Sequence, residues 1–204
     1  MFIRFFQSTL ATFLIASIAF AAPDGFKVQE FAMPPNIDYP AAITVAANGD
    51  VYVSSDQNGS LGKDPGMGRV IRATDTNGDG VADDFQHFVP DVDSPRGGDW
   101  VGNTLYLIHP PYLSSFRDTD GDGVADEKKL LIQGLGGGIE HPRGADHTTN
   151  GVTMGIDGWL YIAVGDFGMT EARAADGSTY TLHGGGVVRV RPDGSELEPY
   201  AIMV

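Results

Sequence analysis

The chain contains no cysteine among its 204 residues, which excludes disulfides, thiolate metal sites, iron–sulfur clusters and a CxxCH haem attachment. Basic residues are scarce, with 13 Lys and Arg against 27 Asp and Glu. A surface of net charge −14 repels phosphate backbones, so nucleic acid is not an expected partner. Helical periodicity is missing throughout, and the one extended apolar run is Leu10–Ala22. Arg4 precedes that run and the small residues Ala19 and Ala21 flank Phe20 near its end, the pattern of a cleaved secretory signal. We therefore expect residues 1–22 to be a signal peptide, the mature protein to be periplasmic or secreted, and no membrane span to remain after cleavage.

What the chain has instead is short β-branched and aromatic runs broken by Gly, Asp, Asn and Pro, the mark of an all-β protein. One unit recurs. Ala42–Val53 carries a strand, an Asn48-Gly49 turn and a second strand; Gly102-Asn103 and Thr104–Ile108 repeat its second half; Gly151–Ala163 repeats all of it around Asp157-Gly158. The aligned Tyr52, Tyr106 and Tyr161 lie 54 and 55 residues apart, each between aliphatic neighbours. Gly68–Ala73 and Gly185–Val190 match as strands further along their units. A four-stranded sheet cannot bury both faces alone, so repetition at this period predicts sheets stacked around an axis, a β-propeller. The expected blades are roughly 27–95, 96–140 and 141–204, in a domain spanning 23–204. Propellers close with about four to eight blades, so about three predict a partial propeller, one half of six blades; a dimer of half-propellers is the alternative.

Two acidic loops share a template. Asp75, Asn77, Asp79 and Asp83 in the first, and Asp118, Asp120, Asp122 and Asp126 in the second, place side-chain oxygens at positions 1, 3, 5 and 9, with Gly80 and Gly123 at the sharp turn. Oxygen-rich wrapping of this kind suits calcium. Gln86 and Lys129 stand where an EF-hand has its bidentate Glu, so the loops resemble those of dockerins and thrombospondin repeats. The competing reading is an Asp/Gly turn that binds nothing tightly; either way the role is structural. The 43-residue spacing between the loops differs from the repeat period and predicts non-identical places in their blades.

The densest polar cluster runs from Gly136 to Gly168 and holds Glu140, His141, Arg143, Asp146, His147 and Asp166. A His beside one carboxylate and within reach of another suits abstraction of a hydroxyl proton; the competing reading is a solvated loop with an incidental His. Asp146-His147, Asn150-Gly151, Gly155–Tyr161 and Gly165-Asp166 together resemble the soluble quinoprotein glucose dehydrogenase and sorbosone dehydrogenase family. The His147-to-Asp166 interval of 19 fits that pattern. The segment His147–Gly151, the two acidic loops and Gly184–Gly194 also resemble exported bacterial propellers described as membrane-bound dehydrogenases, which are often joined to a c-type haem domain.

The resemblance implies a six-bladed propeller that oxidises a sugar or aldehyde with pyrroloquinoline quinone (PQQ) and passes electrons onward, in some relatives to a c-type cytochrome. It implies that His147 takes the hydroxyl proton, while Asp146 and Asp166 orient it or contact sugar and cofactor. The arginines, lysine and calcium site that hold the cofactor in that family come from later blades, so the chain by itself is expected to be inactive. Against this stand a calcium-stapled propeller that binds carbohydrate or protein without redox chemistry, and a lactonase-like hydrolase.

Overall fold

The computed structural model describes residues 22–202; the signal-peptide expectation falls on residues 1–21 and so lies outside them, save for Ala22. Two units divide the chain. In the first, ending at Glu30, the described part is an extended segment with one turn closed by the Phe26 amide on the Pro23 carbonyl. The second, Phe31–Val204, holds every described strand.

That second unit is all-β, with three antiparallel sheets and no helix among the described residues. The first sheet is β1 (Pro40–Val45), β2 (Val51–Asp56), β3 (Gly68–Thr74) and β4 (Asp84–Val89), in sequence order. In the second, β5 (Gly97–Val101), β6 (Thr104–His109), β7 (Tyr112–Arg117) and β8 (Glu127–Gln133) repeat that order. A hairpin of β11 (Met169–Ala174) and β12 (Thr179–Leu182) is added at the β8 edge, making six strands. The third comprises β9 (Gly151–Met154), β10 (Leu160–Val164), β13 (Gly186–Val190) and β14 (Glu198–Ile202). Met169–Leu182, expected in the third unit, thus joins the second sheet: β11 pairs with β8 through Arg173 with Gln133 and Ala174 with Ile132. The hairpin covers an edge that would otherwise present unpaired backbone groups.

The second strand of each sheet shows why the sheets stack. Leu105 and Leu107 of β6 join Tyr52, Val70 and Phe88 in one core, whereas Ile108 joins Leu160, Ile162, Val188 and Val190 in another, with Tyr106 packed against it. Alternation along a strand sends successive side chains to opposite faces, so β6 serves two interfaces. Tyr52 stacks on Trp100 at 4.2 Å, and Phe88 meets both rings edge-on. The register repeats as well. Thr44 pairs with Tyr52, Asp99 with Tyr106 and Thr153 with Tyr161. Across the sheets, the Trp100 amide donates to Thr44 Oγ1 (3.1 Å) and the Met154 amide to Asp99 Oδ2 (2.6 Å), locking first strand to first strand.

The acidic loops correct the expectation drawn from their spacing. Asp75–Asp83 joins β3 to β4 and Asp118–Asp126 joins β7 to β8, the same place in each sheet. The spacing is short because β2 and β3 are linked by a long loop, Gln57–Met67, whereas only Pro110-Pro111 separates β6 from β7. The stretch from β8 to β9 restores the 55-residue period. Each loop also reaches beyond its own sheet in the same way: the Ala82 amide bonds the Phe31 carbonyl and the Ala125 amide bonds the Phe88 carbonyl, both at 2.8 Å.

Candidate functional site

One rim collects the chain leading into each first strand and leaving each second strand. At the third sheet, Gly165 follows β10 and lies so close to the carbonyls of His147 and Thr148 that a Cβ there would collide with both. A residue without a side chain is therefore required at this point, and it brings the flanking Asp166 against the loop before β9. His147 Nδ1 and Asp166 Oδ1 are 2.7 Å apart. His147 sits in the left-handed region at φ 53°, which costs about 1–2 kcal/mol for a residue with a side chain. Its neighbours fix it there: Thr148 and Thr149 are buried, and Thr148 Oγ1 donates to the Gly137 carbonyl at 2.8 Å.

Around the imidazole the sequence-predicted residues converge. Asp146 Oδ2 lies 3.7 Å from His147 Nε2 and accepts from Arg143 Nη2 at 2.6 Å. Phe167, which the sequence reading did not single out, stacks on His147 with centroids 5.3 Å apart, and it is flanked by His141 at 5.5 Å and the Arg143 guanidinium at 5.1 Å. Its only sequence signal is its place directly after Asp166. His147 and Asp166 are both well exposed, so the pair is open to a solute. With the shared proton on Nδ1 and donated to Asp166, the Nε2 lone pair is free to accept a proton.

The first and second sheets contribute other groups to the rim. Asp56, at the end of β2, is 2 % exposed and 2.8 Å from Arg96 Nη2, which precedes β5. Burial pushes the Asp56 carboxyl above its ordinary value, and Arg96 partly offsets this. Asp38, before β1, is held below its ordinary value by Arg69, with Ser55 and Gln57 also donating. At the end of β6, His109 is buried with Nε2 2.9 Å from Ser114 Oγ.

These groups fit a proton acceptor better than a cradle for PQQ, a tricarboxylate. Arg143 is matched by Asp146 and Arg96 by Asp56, leaving the exposed Asp166 carboxylate on the same rim. These two arginines are therefore not free to hold that anion. The acidic loops lie elsewhere. In the second, ligand oxygens of Asp118, Asp120 and Asp122 fall within 4.8 Å of one another, a fit for a hard cation. Asp126 instead accepts from the Thr119 amide and hydroxyl, and Asp83 likewise from Thr76. In the first loop Asp75 accepts from the Gly78, Asp79 and Gly80 amides.

Fold and rim together define a class: an all-β protein of stacked antiparallel sheets with an exposed His–Asp pair at the sheet ends. The chain belongs to the family of the domain of unknown function DUF7133, whose model matches residues 16–203. No curated protein matches it. Among solved structures it is similar to two of a Trichoderma reesei carbohydrate-active enzyme of family AA12. The iodide structure gives TM-score 0.55 at 15% identity and the calcium structure 0.54 at 14%, each over 90% of this chain and 56% of the fungal one. A Thermus thermophilus protein provisionally assigned as an oxidoreductase (glucose dehydrogenase) matches at TM-score 0.36 and 19% identity, over 78% of this chain and 46% of that one, too distant to carry an argument. At such identities the likeness to the fungal enzyme is one of fold. The chain spans 56% of the fungal protein's length.

Proposed function

We propose that the three sheets are consecutive blades of a β-propeller and that this chain supplies the base of a site that oxidises a sugar or aldehyde. The propeller reading is supported by the repeated bonds between first strands and by the turning of Tyr52 and Tyr106 toward the next sheet. Tyr161 has the same register, and its face carries Ala163 and the exposed Tyr200. A further blade fits that face.

The catalytic reading rests on one observation, the 2.7 Å contact between His147 Nδ1 and Asp166 Oδ1. Asp166 holds the ring and fixes its tautomer, Nε2 accepts the proton of a substrate hydroxyl, and Asp166 stabilises the imidazolium that results. Asp146, 3.7 Å from Nε2, adds to that stabilisation while keeping Arg143 in place. Phe167 offers a flat apolar wall beside the ring. By the resemblance drawn from the sequence, PQQ would supply two-electron acceptance, held by groups outside the described rim. Calcium is assigned to the acidic loops as a structural ion, the location is periplasmic or secreted, and a c-type cytochrome is a fitting electron acceptor.

The test is dye-coupled oxidation of a panel of aldoses and aldehydes by the protein expressed from its complete reading frame and loaded with PQQ and calcium. Loss of a positioned base costs about 10²–10⁴-fold, so His147→Ala lowers kcat by that order. Unchanged activity in the variant removes the assignment. A wild-type protein that binds sugar yet reduces no dye supports a second reading, a carbohydrate-binding propeller, which the pairing of Arg143 and Arg96 with carboxylates favours.

A further inference from the structure

A second recessed site lies between the first and second sheets, apart from the His147 cluster. It has a volume of about 360 Å³, and Asp91, Asp93, His109, Tyr112, Lys128 and Glu140 contribute its polar and aromatic lining. Four separate segments build it: the chain after β4, the β6–β7 turn, β8, and the loop leading to the third sheet. Two of them are braced together: the Leu135 amide bonds the Pro111 carbonyl at 2.9 Å, and a Cβ at Gly138 would collide with the Pro110 carbonyl. Asp93 is held from outside the cleft, its Oδ1 accepting from the Gly66 amide of the β2–β3 loop at 2.8 Å.

We infer that this cleft binds a neutral polyhydroxyl ligand, a sugar ring, at a site distinct from the His147–Asp166 pair. The charge pattern selects the class. Three carboxylates in the wall, against the single Lys128, oppose an anion and favour groups that donate hydrogen bonds. A hydroxyl donates and accepts at once, so a ligand with several of them satisfies carboxylates and ammonium together. Tyr112, 39 % exposed, and the Pro110-Pro111 pair add an apolar surface for the C–H face of a sugar. His109 completes the wall as a neutral ring: Nε2 is engaged by Ser114, and burial keeps it uncharged. The volume lies within the range of about 300–1,000 Å³ usual for small-molecule sites. Glu140 lines the cleft while the adjacent His141 packs on Phe167, so one loop borders both sites.

The inference does not rest on proton transfer at His147, and its test keeps the two apart. The probes are the methyl α-glycosides of glucose, galactose and mannose, which have no free anomeric hydroxyl, added without quinone and followed by saturation-transfer NMR and calorimetry. At least one glycoside is expected to bind saturably, equally well to wild type and His147→Ala. Tyr112→Leu and Glu140→Gln, each checked for an unchanged circular dichroism spectrum, are expected to weaken it by about tenfold. Inorganic phosphate and putrescine are expected not to compete. The inference is overturned if no glycoside binds, if phosphate or putrescine displaces the glycoside, or if both cleft variants bind as wild type does.

Discussion

His109 gives the sharpest handle on stability. It closes β6 with 5 % of its surface exposed, packs against Tyr112 and Phe116, and engages Ser114 through Nε2. Burial, reinforced by the positive charge of Lys128, pushes its pKa from 6.5 down to about 3. The folded protein thus refuses a proton that the unfolded chain takes up. The contribution of the neutral ring is fully present above pH 6.5 and is lost as the pH falls toward about 3. One proton bound only on unfolding lowers stability by about 1.4 kcal/mol per pH unit across that window, reaching about 5 kcal/mol at its lower end. His109→Gln preserves a partner for Ser114 and removes the titration. Urea unfolding of both proteins at pH 7, 6 and 5 should show the wild type losing stability relative to the variant at about that slope below pH 6.5. Parallel curves, or an imidazole NMR titration placing His109 near 6.5, would refute the reasoning.

The remaining expectations concern packing, the buried ion pair, the rim and the loops. Trp100→Ala removes the ring shared by Tyr52 and Phe88, and denaturant unfolding should register a loss of about 3–5 kcal/mol. Arg96→Met leaves the buried Asp56 carboxylate without its cation and should cost about 3–5 kcal/mol at pH 7, less at acid pH where Asp56 protonates. Gly165→Ala forces a Cβ onto the His147 carbonyl; the crystal structure of the variant should show the His147–Asp166 contact broken with the sheets intact. Saturating calcium should raise the melting temperature and a chelator lower it, with Asp120→Ala removing the share of the second loop. A melting curve indifferent to both reagents would leave the loops as plain turns.

The hairpins were legible because their turns need particular residues: Gly49 and Gly158 sit at φ 96° and 79°, a conformation that glycine adopts freely. The tyrosine period was legible because each Tyr occupies the same register position beside the turn of its hairpin. The β11–β12 hairpin was not. Its strands pair across the boundary between repeat units, and nothing in Met169–Leu182 tells a neighbouring edge from its own sheet. The placement of the acidic loops was misread for a related reason, since unequal connections shift equivalent turns along the chain. At the rim, the His147–Asp166 pair was legible from its place, one residue in the loop entering the third hairpin and the other at the end of its second strand, whereas Phe167, the Arg143–Asp146 pair and the Asp56–Arg96 pair depend on side-chain directions that spacing does not encode. The cleft around His109 draws on four distant segments and left no local signature.

The most direct test of the proposed base is the tautomer of His147 in solution, read from long-range ¹H–¹⁵N correlations of the neutral imidazole. The account predicts the proton on Nδ1, shared with Asp166, with Nε2 unprotonated, and loss of that preference in Asp166→Ala. A proton found on Nε2, or a tautomer ratio that Asp166→Ala leaves unchanged, would contradict it.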